Sequence, residues 1–181
     1  MSGKKTAVFG IFTTREGVER AVDTFVNDGF PASSVSVLLP ENLGGKAIGT
    51  EKATKAPEGA TAGAGAGAVI GGTLGVLAGV GLLAIPGLGP FIAAGPIMAG
   101  LAGLGVGGAV GGFAGALIGM GIPEFEAKRY EGRLKEGGIL LSVHCDTSEQ
   151  IKRGKEIMKN TGAEDISSTG ESSSKTVSAS R

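Results

Sequence analysis

Five glycines stand four residues apart at Gly63, Gly67, Gly71, Gly75 and Gly79, and five more keep that spacing at Gly103, Gly107, Gly111, Gly115 and Gly119. Both rows lie in a stretch from Gly59 to Pro123 that has no charged residue. Glycine in a helix interior is about 1 kcal/mol less favourable than alanine, so a regular row of it needs compensation. Close helix contact supplies one. In a bilayer, small residues at every fourth position let two backbones approach and gain dispersion contacts. The rows predict helix packing rather than catalysis.

Pro86-Gly87-Leu88-Gly89-Pro90 divides this stretch, because two prolines and two glycines in five residues break a helix. The pieces, Ala60 to Ile85 and Pro96 to Ile122, are helix-sized. At about 1.5 Å per residue each reaches near 40 Å, enough for a hydrocarbon core of about 30 Å. The expectation is a glycine-zipper helical hairpin over 60–122, with its turn at 86–90, spanning a membrane. Lys46, Lys52 and Lys55 precede it and Lys128, Arg129, Arg133 and Lys135 follow it, while the turn is uncharged. The positive-inside rule then puts the flanks in the cytoplasm and the hairpin in the cell inner membrane. Each i+4 step drifts about 40° around a helix of 3.6 residues per turn, so the rows wind round and one partner helix does not cover them. Homo-oligomers are expected.

The flanks carry a different pattern. Ala7 to Phe12 reads as a strand. Thr13 with Glu16 forms a capping box, and Val18, Ala21, Val22, Phe25 and Val26 keep the spacing of an amphipathic helix that Gly29 ends. Val35, Val37 and Leu39 alternate in a second strand closed by Pro40. Beyond the centre, Pro123 opens a helix with Glu124 and Glu126 in its first turn and Ala127, Tyr130 and Leu134 on one face. Ile139 to Cys145 reads as a strand, Asp146 with Glu149 as a second capping box, and a helix runs to Gly162 before a weak strand at Asp165 to Ser167.

The two ends repeat each other: Thr13 matches Asp146, Glu16 matches Glu149, Gly29 matches Gly162, and Val35-Ser36 matches Ile166-Ser167. Two βαβ units make an α+β fold, a ferredoxin-like split βαβ sandwich interrupted by the hairpin. The expected organisation is a first βαβ half at 1–42, a linker at 43–59, the hairpin at 60–122, a helix plus the second half at 123–167, and a disordered polar tail at 168–181.

Chemistry is sparse. Lysine plus arginine and aspartate plus glutamate number 17 each and tryptophan is absent, which argues against nucleic acid as a partner. No secretory signal is expected, and one cysteine allows no internal disulfide framework. Gly103 to Gly108 matches G-x-G-x-x-G, but a dinucleotide site needs a strand before it and a βαβ unit around it. Gly44-Gly45-Lys46 lacks the upstream glycine of a P-loop. His144 is the one histidine, and its neighbour Cys145 points to the other face of a strand, so the two do not cooperate. No catalytic residue, metal ligand, cofactor or small-molecule substrate is evident.

Val8-Phe9-Gly10-Ile11-Phe12 with a capped helix and Gly29-Phe30, the glycine-zipper hairpin, Gly138-Ile139-Leu140-Leu141-Ser142-Val143 and the closing Gly162-Ala163-Glu164-Asp165-Ile166 together cover nearly the whole chain. This layout resembles bacterial general stress proteins of the heat-induced and low-temperature-induced type. The resemblance implies a stress-associated bacterial membrane protein with a ferredoxin-like domain, and it carries over no catalytic residues. The layout is also similar to the small membrane-anchored subunit of alternative complex III, although no cofactor ligand is visible. The expected function is that of a non-enzymatic, self-associating membrane protein whose partners are itself and the lipid bilayer. An accessory anchor subunit or adaptor of a larger complex is the alternative. A pore former is a weaker one, because Thr61 and Thr73 are the only polar residues in the spans.

Overall fold

The computed structural model describes residues 6–43, 81–85, 87–103 and 112–169. Seven consecutive residues of β1 (Thr6–Phe12) are buried, which requires cover on both sides of the strand. The chain continues through α1 (Arg15–Asn27), a 3-10 turn at Ala32–Ser34, β2 (Val35–Pro40), β3 (Gly81–Ile85), β4 (Gly89–Ala94), α2 (Pro96–Gly103), α3 (Gly112–Gly119), α4 (Glu124–Lys135), β5 (Ile139–Cys145), α5 (Ser148–Thr161) and β6 (Glu164–Ser168). The six strands form one antiparallel sheet in the order β3-β4-β2-β5-β1-β6. The fold is mixed α+β.

Each face of the sheet has its own core. Val8, Phe12, Val37, Leu141 and Val143 pack with Val18, Val22 and Phe25 of α1 and Ile157 and Met158 of α5. Phe9, Ile11, Leu38 and Leu140 pack with Met98 and Leu101 of α2, Phe113 and Leu117 of α3, and Tyr130 and Leu134 of α4.

The hairpin expected at 60–122 is corrected here. Residues 81–85 and 89–94 are strands, not helix, and the reversal between them joins β3 to β4, with Ile85 opposite Gly89. Ile92 and Ala94 face one core while Phe91 and Ala93 face the other. A strand buried on both faces is continuously apolar and has the same composition as a buried helix, so periodicity does not separate them. Pro96 does open a helix, and the described helices of the second arm, α2 and α3, have eight residues each, with residues 104–111 between them outside the described residues. No helix among the described residues is long and apolar enough to cross a membrane. Residues 60–80 of the first arm lie outside the described residues.

Smaller corrections share a local cause. Thr14, not Thr13, caps α1, accepting from Gly17 N at 3.2 Å. Thr147, not Asp146, caps α5, accepting from Gln150 N at 3.1 Å while Gln150 Oε1 accepts from Asp146 N at 2.7 Å. In both places a two-residue turn follows the strand, and its second residue is the one whose hydroxyl reaches a free helix N–H. Leu43, assigned to the linker, packs against the α1/α5 core. Ser168, assigned to the tail, ends β6, and Thr169 N donates to Ala7 O at 2.9 Å while Ala7 N donates to Thr169 Oγ1 at 2.9 Å. An edge strand needs backbone bonds more than apolar side chains.

α2 is fixed to the sheet at its first turn. Ile97 N donates to Ser36 Oγ of β2 at 3.0 Å, a cap supplied from 61 residues away. Gly95 makes this approach possible: its φ is +93°, and a Cβ there would meet Val35 O at 2.3 Å and Ser36 Oγ at 2.5 Å. Gly95→Ala should therefore cost about 2–5 kcal/mol from left-handed strain plus overlap. Chemical denaturation measures it, with Gly132→Ala on the open surface of α4 as the tolerated control.

Candidate functional site

Of the packing glycines, Gly63, Gly67, Gly71, Gly75, Gly79, Gly107 and Gly111 lie outside the described residues, as does Pro86 of the turn. Gly103 ends α2, and Gly115 and Gly119 lie in α3. Both helices bury most of their larger side chains, while Ala99 and Gly100 are exposed on α2 and Ile118 and Gly119 on α3. A Cβ at Gly100 or Gly119 would meet nothing within 4 Å among the described residues. Ile118 is 42% exposed and Phe125, at the start of α4, is 72% exposed with the Arg129 guanidinium 5.2 Å from its ring centre. α2 and α3 thus expose small residues beside the large apolar Ile118, while the charges of Arg129, over Phe125, and of Glu131, whose Oε2 accepts from Ala114 N at 3.2 Å, belong to α4. The apolar positions can pack against another apolar surface.

In the β3–β4 turn, Leu88 N donates to Ile85 O at 3.0 Å, Gly87 and Gly89 have φ of +79° and +97°, and Pro90 lies opposite Ala84. Beside it a cleft of about 540 Å³ is lined by Pro40, Glu41, Leu88, Pro90, Leu134 and Lys135. Lys135 is held by Glu131 Oε1 at 2.8 Å, and Glu41 and Asn42 are the other polar side chains that line the cleft.

A polar cluster joins α4 to β6. Tyr130 Oη donates to Asp165 O at 2.6 Å and lies 2.6 Å from Ser167 Oγ. Arg129 Nη1 reaches Asp165 Oδ1 at 2.9 Å, Arg133 Nε donates to Asp165 Oδ2 at 3.2 Å, and Arg133 also pairs with Glu164. Asp165 has φ +51°, the one positive φ outside glycine among the described residues, and the β1–β6 register shifts beside it. Burial pushes the Tyr130 hydroxyl up to about 12, with Ser167 opposing the shift. Tyr130 holds the Asp165 carbonyl and both arginines hold its carboxylate, so the cluster works as a fastening for β6.

His144 Nε2 lies 3.1 Å from Asp146 Oδ1, while Cys145 points into the core with Val143 and Ile157. Burial, with the Asp146 charge adding, pushes the Cys145 thiol up to about 11, leaving no thiolate at neutral pH. No group of three His, Cys, Asp or Glu side chains among the described residues could hold a metal. No family model matches the chain, and no curated protein or solved structure matches it either.

Sequence reasoning placed Tyr130 on a core face and left Asp165 in a weak strand. It missed that the two meet, since nothing local in either segment encodes a bond across 35 residues. Arg129 and Arg133, four apart beside Tyr130, were the available hint.

Two measurements check these environments. Tyr130 is the only tyrosine, so tyrosinate absorbance reports it alone. The folded protein should titrate near 12 and the denatured chain near its ordinary 10. The folded state then holds the proton more tightly. Its stability contribution is complete below pH 10 and falls by about 2–3 kcal/mol as pH rises towards 12, at 1.4 kcal/mol per unit. Tyr130→Phe should remove that part of the alkaline loss. Cys145, the only thiol, should react with a disulfide reagent at the rate of unfolding, and fast labelling in native buffer would contradict its burial.

Proposed function

We propose that this chain is a non-enzymatic, self-associating protein that assembles at a membrane through its glycine-rich elements, in the stress-related role that the resemblance implies. The observation carrying this reading is the run of small residues on α2 and α3, where Gly100 and Gly119 are exposed and a Cβ on either would meet nothing within 4 Å among the described residues. A backbone left bare on a soluble surface gives up helix propensity and gains nothing from its own domain, whereas a closely packed neighbour would use it. The buried Cys145, with its thiol held protonated, and the use of the Tyr130 cluster to fasten β6 support the non-enzymatic part.

We also propose a ferredoxin-like core for the domain. The strands β6-β1-β5-β2 are neighbours in that order, and the two βαβ units, β1-α1-β2 and β5-α5-β6, interleave in the sheet. β3, β4, α2 and α3 are then additions that extend one edge and cover the second face.

Sheet topology bears on how a membrane could be met. β2 precedes residues 44–80 and β3 follows them, yet both strands pair with β4. A chain that leaves one sheet and rejoins it crosses a bilayer an even number of times. Two crossings need about 40 apolar residues, and this interval has 37, with Lys46, Glu51, Lys52, Lys55 and Glu58 in its first half. The bilayer contact proposed is therefore peripheral, on the cytoplasmic face.

The test uses the full chain with Gly100→Leu and Gly119→Leu together. Both side chains have room, so the melting temperature should stay within a few degrees while the sedimenting oligomer shrinks. Alkaline carbonate should release the wild-type protein from membranes. Wild-type assembly by the double variant, or retention in carbonate, would overturn this reading, and co-purification of different subunits would favour the adaptor.

A further inference from the structure

We infer that β3 is the edge through which two copies of this chain join, each β3 pairing antiparallel with its counterpart about a two-fold axis. This rests on the self-association proposed above and specifies its geometry. The sheet has two edges, and they are built differently. β6 carries Glu164 and Asp165, its register on β1 shifts, Asp165 is in the left-handed region, and α4 fastens it by way of Tyr130 and Arg133. Charges and bulges of this kind are what natural sheets use to prevent edge pairing.

β3 has none of them. Its five residues, Gly81-Leu82-Leu83-Ala84-Ile85, contain no charge and no proline, and its register on β4 is unbroken from Gly81 opposite Ala93 to Ile85 opposite Gly89. In an antiparallel ladder every second residue turns its N–H and C=O away from the paired neighbour. Those of β3 meet no strand on their outer side among the described residues. A row of outward backbone groups selects an extended segment, since a helix has none to offer.

Charge selects among extended segments. On the face where Leu83 packs against the core, a partner strand bearing an ionisable side chain would set it unpaired against apolar residues. A second copy of β3 brings none. Antiparallel pairing of a strand with itself is also isologous, and a pair of this kind closes by symmetry. Leu83 is half-buried against the α2–α4 core and Ala84 is exposed on the opposite face, so two copies extend both layers across the junction.

Single-cysteine variants of the full chain at Leu82, Leu83 and Ala84 test the pairing, because buried Cys145 stays out of reach of mild oxidant. Isologous pairing brings one position opposite its own copy, so one variant should give most of the disulfide dimer, while Glu164→Cys on the other edge gives none. Sedimentation of Ala84→Lys supplies the second measurement. Like charges near the two-fold axis should raise the dimer dissociation constant about a hundredfold or more. If that variant loses its cooperative melt, the cysteine scan decides. Equal or absent crosslinking at the three positions would overturn the edge pairing, as would crosslinking at position 164 or an unchanged Ala84→Lys dimer. Self-association broken only by Gly100→Leu and Gly119→Leu would remove the edge and leave the proposed function standing, and a monomeric wild type would remove both. A cysteine in β3 that captured a different protein in cells while the pure protein stayed monomeric would also overturn pairing with a second copy.

Discussion

Phe9, Ile11, Leu38 and Leu140 point to one side of the sheet and Val8, Phe12, Val37 and Leu141 to the other, and neither set can be left in water. Fully burying one such side chain contributes about 1.5–3 kcal/mol, so an open second face would forfeit more than a small domain's net stability. α1 and α5 cover one face. The other needs α2, α3 and α4, and this requirement draws residues 87–103 and 112–122 into the domain. Met98, Leu101, Phe113 and Leu117 are buried there and unavailable to a lipid phase.

The chain meets this demand with short elements joined by repeated stop signals. α1, α3, α4 and α5 all end in one arrangement, in which the N–H two residues past the last turn bonds back to a carbonyl inside the helix: Phe30 to Phe25, Ile122 to Leu117, Gly138 to Arg133 and Ala163 to Met158. At α1 the motif has an apolar seal as well, with the Phe25 and Phe30 rings edge to face at 5.2 Å. The two helices on the first face are tied together, with Arg153 of α5 binding both Asp28 oxygens beyond α1 and holding that carboxyl below its ordinary range.

The flanks were legible because their signals are local: apolar runs, a hydroxyl before a helix, a glycine after it. The cap positions slipped by one residue, since two adjacent turn residues could each have served. The centre was misread for a different reason. Gly81 to Ala94 is apolar at every position that a buried strand or a buried helix would need, and the deciding fact lies elsewhere, in the run Val8-Phe9-Gly10-Ile11-Phe12. Apolar residues at both parities of that strand already implied a sheet covered twice, and α4 alone is too short to supply the second cover without part of the uncharged centre. The fastening of Tyr130 to Asp165 and the cap from Ser36 to Ile97 were not legible, because each joins residues whose own neighbourhoods are ordinary.

The twist and charge at Asp165 reach beyond the strand that contains them. A sheet open at both edges can add chains without limit, and its natural end product is a ribbon. Here one border is sealed by a carboxylate held between two arginines, so growth from the opposite border has a single step available to it. The inferred pairing of β3 with its own copy therefore carries a limit: two sheets join, and the sealed β6 borders leave no place for a third.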